Sequence, residues 1–165
     1  MNKHFYYIFF VFLIEDFQLY DFVSTLININ FRRIYKKLIV TNIVPRVSET
    51  DGVGHINNVF VPIWFEAGRR EIFRIFSPNL DFVNWKLALV KVTVEYVDQL
   101  YLAENVEVRT GIQKIGNSSF TIREEIFQTN RLCAKGEALY VNYNFQESKS
   151  EAISNEIRDK LQSIK

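Results

Sequence analysis

Cysteine is almost absent from this 165-residue sequence: Cys133 stands alone, so no intrachain disulfide can form. Histidine is nearly as scarce, and with only His4 and His55 a zinc site would have to lean on carboxylates. No charge of either sign dominates, because 20 Lys and Arg face 19 Asp and Glu and leave a formal +1. Without a basic surplus or a basic run, binding to a phosphate backbone has no electrostatic footing, and no nucleic-acid partner is expected. Three catalytic patterns are missing: there is no GxSxG, no Walker phosphate loop, and no third glycine after Gly52 and Gly54 to complete a dinucleotide fingerprint. A Ser–His–Asp triad would have to use His55, and no serine is marked out for it. These absences leave carboxylates, amides, backbone groups and one imidazole to carry any chemistry.

What is present is ordinary for a globular chain, with 48% apolar and 24% charged residues. The length suits one domain with an appendage. Residues 1–34 stand apart, since they hold ten of the aromatic residues and no alanine occurs before Ala67. The apolar run at 5–14 is about half as long as a bilayer-crossing helix. It resembles the apolar part of a secretory signal, with Lys3 ahead of it, but no A-x-A-like cleavage site follows. A helix lying on a membrane surface is a second reading, although the aromatics leave no clean polar face. The Phe, Tyr, Ile, Asn and Lys bias also matches AT-rich upstream DNA translated from a start placed too early. We adopt that reading, so the working protein is expected to begin near Ile34 or Tyr35, in the cytoplasm and without a membrane partner.

From Tyr35 the pattern is that of a compact domain. Residues 35–47 are rich in β-branched side chains and read as a strand, with Pro45 near its end. A polar loop with two glycines follows at 48–55. Asn57 or Asn58 can cap one long helix running to about Phe76, where Ser77 and Pro78 stop it. Its apolar residues cover most of the circumference, which predicts an enclosed helix. The period then changes to two: Val90, Val92 and Val94 alternate with Lys91, Thr93 and Glu95, and three more strands follow at about 106–113, 120–126 and 132–145. An antiparallel meander with short hairpins is expected. Ser148 and Glu151 stand at capping-box spacing before a short amphipathic helix at 148–165. The simplest packing is α+β, a five-stranded antiparallel sheet wrapped around one long central helix over residues 35–147.

The densest polar cluster is Thr50-Asp51-Gly52-Val53-Gly54-His55-Ile56-Asn57-Asn58, just ahead of that helix. A helix start offers unpaired N–H groups and about half a positive charge, which can hold a carbonyl oxygen as it becomes an oxyanion. Asp51 can act as general base on water or as nucleophile, and His55 with the asparagines can orient substrate or water. A thioester suits this equipment, because its thiol leaves as a thiolate with a reference pKa near ~8.5 and needs no strong acid.

Together with Trp64-Phe65-Glu66-Ala67-Gly68-Arg69, this stretch resembles the hotdog-fold thioesterases, in particular the 4-hydroxybenzoyl-CoA and acyl-CoA or acyl-ACP thioesterase group. The match is to the pattern T-D-x-x-G-H-x-N-N followed by Y-F-E-x-x-R. The resemblance implies a helix wrapped by an antiparallel sheet, homodimers or dimers of dimers joined through their sheets, and an acyl-CoA or acyl-carrier-protein substrate bound between subunits. It implies no metal and no redox cofactor. Asp51 matches the family carboxylate, and His55 follows at the spacing of plant-type acyl-ACP thioesterases. Val53 stands where those enzymes carry asparagine. Glu66 is a second candidate, since some branches place the working glutamate on the helix. Trp64, Phe65 and Phe73 are expected to set pocket depth, and Lys91, Arg109, Lys114 or Arg123 to meet the coenzyme A phosphates. Two rivals share the fold: an acyl-CoA sensor without turnover, and an enoyl-CoA hydratase, whose expected Asp–His spacing of five with Asn-Pro between is missing.

Overall fold

The structure, a computed structural model, describes residues 38–164. The expectations for residues 1–34, and for a strand beginning at Tyr35, lie outside the described residues. Five strands form the sheet: β1 (Ile39–Ile43), β2 (Leu87–Tyr96), β3 (Val106–Ile115), β4 (Ser119–Gln128) and β5 (Arg131–Asn144). The short β6 (Lys149–Ser150) folds back on the end of β5. All pairings are antiparallel, in the order β1-β3-β4-β5-β2. Only β3, β4 and β5 make the expected meander. β2 does not pair with β3 through a short hairpin; the connection at 97–105 carries the chain from one edge of the sheet to the other side of β4 and β5. Alternation along a strand decides which face is buried, not which strand lies alongside, so the crossing is not visible in the local pattern.

Between β1 and β2 the expected single helix is two: α1 (Phe60–Gly68) and α2 (Arg70–Phe76), separated at Arg69. There the Arg69 N–H turns to the carbonyl of Glu66 at 3.0 Å, a tightened turn. The cause is on either side of the break. Gly68 lies so close to β3 that a Cβ would stand 2.6 Å from Thr110 Oγ1 and 2.8 Å from Val108 Cγ1. Arg69 then dives into the core and makes a two-pronged bond to Glu124, Nε to Oε1 at 2.9 Å and Nη2 to Oε2 at 2.7 Å, with Nη1 donating to Tyr140 at 3.1 Å. Burial works against the Arg69 charge, but the bonds and charge of Glu124 outweigh it and hold the guanidinium above its usual range.

Nor is α1 enclosed all round. Val61, Trp64, Phe65 and Gly68 are buried, whereas Val59, Ile63, Glu66, Ala67 and Arg70 form an exposed face. Pro62 is the third residue of α1, where its missing N–H breaks no helical bond. The helix pair divides the core. Trp64 and Phe65 pack with Ile56, Val108, Ile126 and the buried Cys133, while Ile72 of α2 packs with Ile112, Phe120, Ile122 and Tyr140. Leu161 and Ile164 join the second group from α3 (Asn155–Gln162) and the residues after it. This last helix starts later than the Ser148–Glu151 spacing predicts. Ser154 caps it through Oγ to the Ile157 N–H, and Glu151 instead accepts hydrogen bonds from Lys86 and Asn144.

The close approach at Gly68 supplies a test whose sign is informative. Alanine favours a helix over glycine by about 1 kcal/mol, but forcing a methyl into a packed contact costs about 1–3 kcal/mol. Gly68→Ala is therefore expected to lower the urea midpoint; an unchanged or raised midpoint would count against the tight seating of the helix on β3.

Candidate active site

The polar loop folds back on itself ahead of α1. Thr50 bridges to Ile56, and the Asp51 N–H donates to the His55 carbonyl at 2.9 Å. Gly52 and Gly54 take φ of +87° and +95°, the left-handed region that other residues enter at a cost, which lets the turn close. Asp51 Oδ1 accepts the N–H groups of Val53 at 3.0 Å and His55 at 3.3 Å, so the carboxylate is held by the loop it begins. Its other oxygen lies 3.8 Å from His55 Nδ1, and about a third of each side chain is exposed. The His55 ring meets Tyr101 edge-on at 5.3 Å.

The loop forms one wall of a cavity of about 590 Å³. Asp51, His55, Asn57, Asn58 and Val61 line this side, and residues 96–100, from the end of β2 and the connection after it, line the other. The walls are stitched together: Ile56 donates N–H to the Leu100 carbonyl at 2.8 Å, and Tyr96 OH donates to the Asn58 carbonyl at 3.1 Å. The buried Gln128 side chain fixes the far wall, accepting from the Tyr101 N–H and donating to the carbonyls of Tyr101 and Glu104. Asp98 adds a second carboxylate to the cavity; the Arg131 hydrogen bond at its side holds it below its usual range.

At the helix start most backbone donors are taken. The Asn57 N–H goes to the Glu49 carbonyl, the Val59 N–H to Asn57 Oδ1 at 3.1 Å, and the Phe60 and Val61 N–H groups to the carbonyls of Asn57 and Asn58. Neither asparagine is the formal cap, since α1 begins after Val59 without a side-chain cap. The Asn58 N–H has no acceptor among the described residues.

Thus Asp51, His55, Asn57 and Asn58 share one cavity, and Glu66 does not line it, being on the exposed face of α1. Trp64 and Phe65 are in the core and set no depth there. Lys91, Arg109, Lys114 and Arg123 also lie outside its lining; Arg109 sits over the Phe127 ring at 4.0 Å and pairs with Glu107. Sequence reasoning misses the wall at 96–100 and the Glu49 side chain behind the loop. The first carries no motif, and the second sits one residue ahead of the polar motif.

The thioesterase-like superfamily matches this chain over residues 45–161. No curated protein matches it significantly. Among solved structures, a predicted thioesterase from Bacillus stearothermophilus shares 54% identity, with a TM-score of 0.74 over 76% of this chain and 94% of that one. A Thermus thermophilus thioesterase complexed with coenzyme A and Zn shares 20% identity, with a TM-score of 0.68 over 76% and 92%. A gentisyl-coenzyme A thioesterase shares 21%, with a TM-score of 0.63 over 76% and 99%. The antiparallel sheet, the loop ahead of its helix and these likenesses agree: the chain belongs to the thioesterase-like superfamily and is a hotdog-fold thioester hydrolase.

Proposed function

We propose that the protein hydrolyses the thioester of an acyl-CoA, with Asp51 as the working carboxylate. The observation that carries this reading is the cavity that Asp51, His55 and Asn58 line together, the Asn58 N–H having no acceptor among the described residues. The coenzyme A complex of the Thermus relative and the gentisyl-CoA thioesterase support the choice of coenzyme A as carrier. Water adds to the thioester carbonyl while Asp51 takes its proton, and the negative oxygen of the tetrahedral adduct is met by the Asn58 N–H. Collapse breaks the carbon–sulfur bond, expels the coenzyme A thiolate and leaves the free acid. Asp51 can instead attack directly, with water then hydrolysing the resulting anhydride. His55, braced on Tyr101, and Asn57 orient the reacting groups; Glu66 ranks behind Asp51 because it is outside the cavity.

The test is free-thiol release from a panel of acyl-CoAs, short, long and aromatic, beside the matching acyl-carrier-protein thioesters. Turnover on coenzyme A esters supports the reading, and turnover only on carrier-protein esters would move the substrate. Tight acyl-CoA binding with no thiol released would favour the sensor, and loss of enoyl absorbance without thiol release the hydratase.

The reading includes a homodimer joined along β2. No strand lies on the outer side of β2 among the described residues, and Leu89, Val90 and Val92 are exposed on it, an apolar edge that soluble chains normally cover. Two copies of β2 paired antiparallel would set the Leu87 end of one beside the Tyr96 end of the other, along the cavity wall. Val90→Lys, at a position 60% exposed, is expected to sediment as a monomer and to lose turnover. A wild-type chain that sediments as a monomer at full activity would end this part of the reading.

A further inference from the structure

Behind the loop that carries Asp51 lies a buried carboxylate that the reaction above does not use. Glu49 is 2% exposed, yet it belongs to a single turn of 3-10 helix, Val47–Glu49, at the protein surface. Its carboxylate gathers four donors. The Arg46 N–H reaches Oε2 at 2.8 Å, and Oε1 takes Arg46 Nη2 at 2.7 Å, Arg46 Nε at 3.1 Å and the Trp64 indole Nε1 at 3.4 Å. Burial alone would raise its pKa; the bonds from the Arg46 side chain and backbone and from Trp64 outweigh that and hold the carboxyl low, so it is an anion at neutral pH.

The position matters more than the count of bonds. The Glu49 carbonyl accepts the Asn57 N–H at 2.8 Å, closing the neck of the loop just outside the Thr50–Ile56 bridge. Within this neck lie Asp51 and His55; immediately beyond it comes Asn58. Trp64, in turn, is on α1, which begins two residues after Asn58. One side chain therefore fastens the loop that holds the carboxylate to the helix that follows Asn58. A lone 3-10 turn needs no such anchorage: one carboxylate oxygen of Glu49 on the Arg46 N–H would be enough to hold it.

We propose that Glu49 is a positioning residue, holding Asp51 in register with the start of α1. This rests on the role given to Asp51 above. Its signature is a loss of kcat with little change in KM, because the cavity lining is untouched while the reacting groups lose alignment; displacement by about 1 Å can cost on the order of a hundredfold in rate.

The experiment compares Glu49→Gln, Arg46→Ala and their double variant with Asp51→Asn, on the wild-type chain's best acyl-CoA. Arg46→Ala takes two donors off Glu49 but leaves the Arg46 N–H and the Trp64 indole bonded to it, so it is the milder variant, and whichever single variant keeps native circular dichroism decides. Each single variant is expected to lower kcat about tenfold or more with KM within about threefold. The double variant should fall little further than the worse single one, since both act through one clamp. The Trp64 indole N–H resonance should move in both, reporting the lost contact. Native circular dichroism with kcat within twofold of wild type, beside an inactive Asp51→Asn, would overturn the inference and leave the role of Asp51 standing. An Asp51→Asn variant as active as wild type would remove both.

Discussion

Replacing Asp51 by asparagine is expected to slow thioester hydrolysis by about a hundredfold or more while leaving the protein folded. Asparagine keeps an oxygen at Oδ1, so the bonds from the Val53 and His55 N–H groups survive and the loop keeps its shape. What is lost is the second oxygen, the one that faces His55, as a base or nucleophile. The measurement is kcat and KM from thiol release, wild type beside variant. An equal fall in kcat and kcat/KM marks an interaction made in the transition state. Turnover within a few fold of wild type would instead point to Glu66. A single turnover in oxygen-18 water tests Asp51 as nucleophile: label retained in its carboxylate means that an anhydride formed and was opened at the Asp51 carbonyl.

The second large effect is on stability. Arg69 and Glu124 are both buried and joined by two bonds, with Tyr140 as a third member. Removing one partner from a buried ion pair leaves the other charge without compensation, a loss of about 3–5 kcal/mol where a whole domain commonly has only about 5–15. Arg69→Met is thus expected to unfold at much lower urea than wild type. Arg69→Met with Glu124→Leu should regain most of the loss, because it removes both charges and fills the space between the two halves of the core. A single variant within about 1 kcal/mol of wild type would mean that the pair is hydrated in solution.

These same residues mark where the sequence stops being legible. The strands could be read because apolar and polar residues alternate in the sequence, although burial follows that alternation along β4 and not along β2, most of which is exposed. The site loop could be read because Gly52 and Gly54 make the turn and Asp51 bonds its own backbone, all within a few residues. The helix break could not, since its partner Glu124 lies 55 positions away. A trace of it is present: Glu124 and Gln128 share the parity of Phe120, Ile122 and Ile126, two polar residues in an inward row. That row is a hint that something in the core waits for them, but not what. The same holds for the cavity's second wall. Residues 96–100 face Asp51 only because β2 crosses to the far edge, and strand order is a property of the whole sheet. At the C-terminus the Ser148–Glu151 spacing points to a helix start at Ser148, and it is the pairing of Lys149–Ser150 with β5 that moves the start to Ser154.

Cys133, packed inside the core beneath α1, bears on how this chemistry can be watched. Its sulfur is fully buried and burial pushes the thiol up in pKa, so little of it is thiolate and none of it meets solvent. A disulfide reagent added to the native protein therefore titrates the coenzyme A set free and not the enzyme. Once the chain unfolds, that sulfur becomes reactive, one for each molecule. The colour that measures turnover thus also counts denatured chains, and the two are told apart by the substrate-free control.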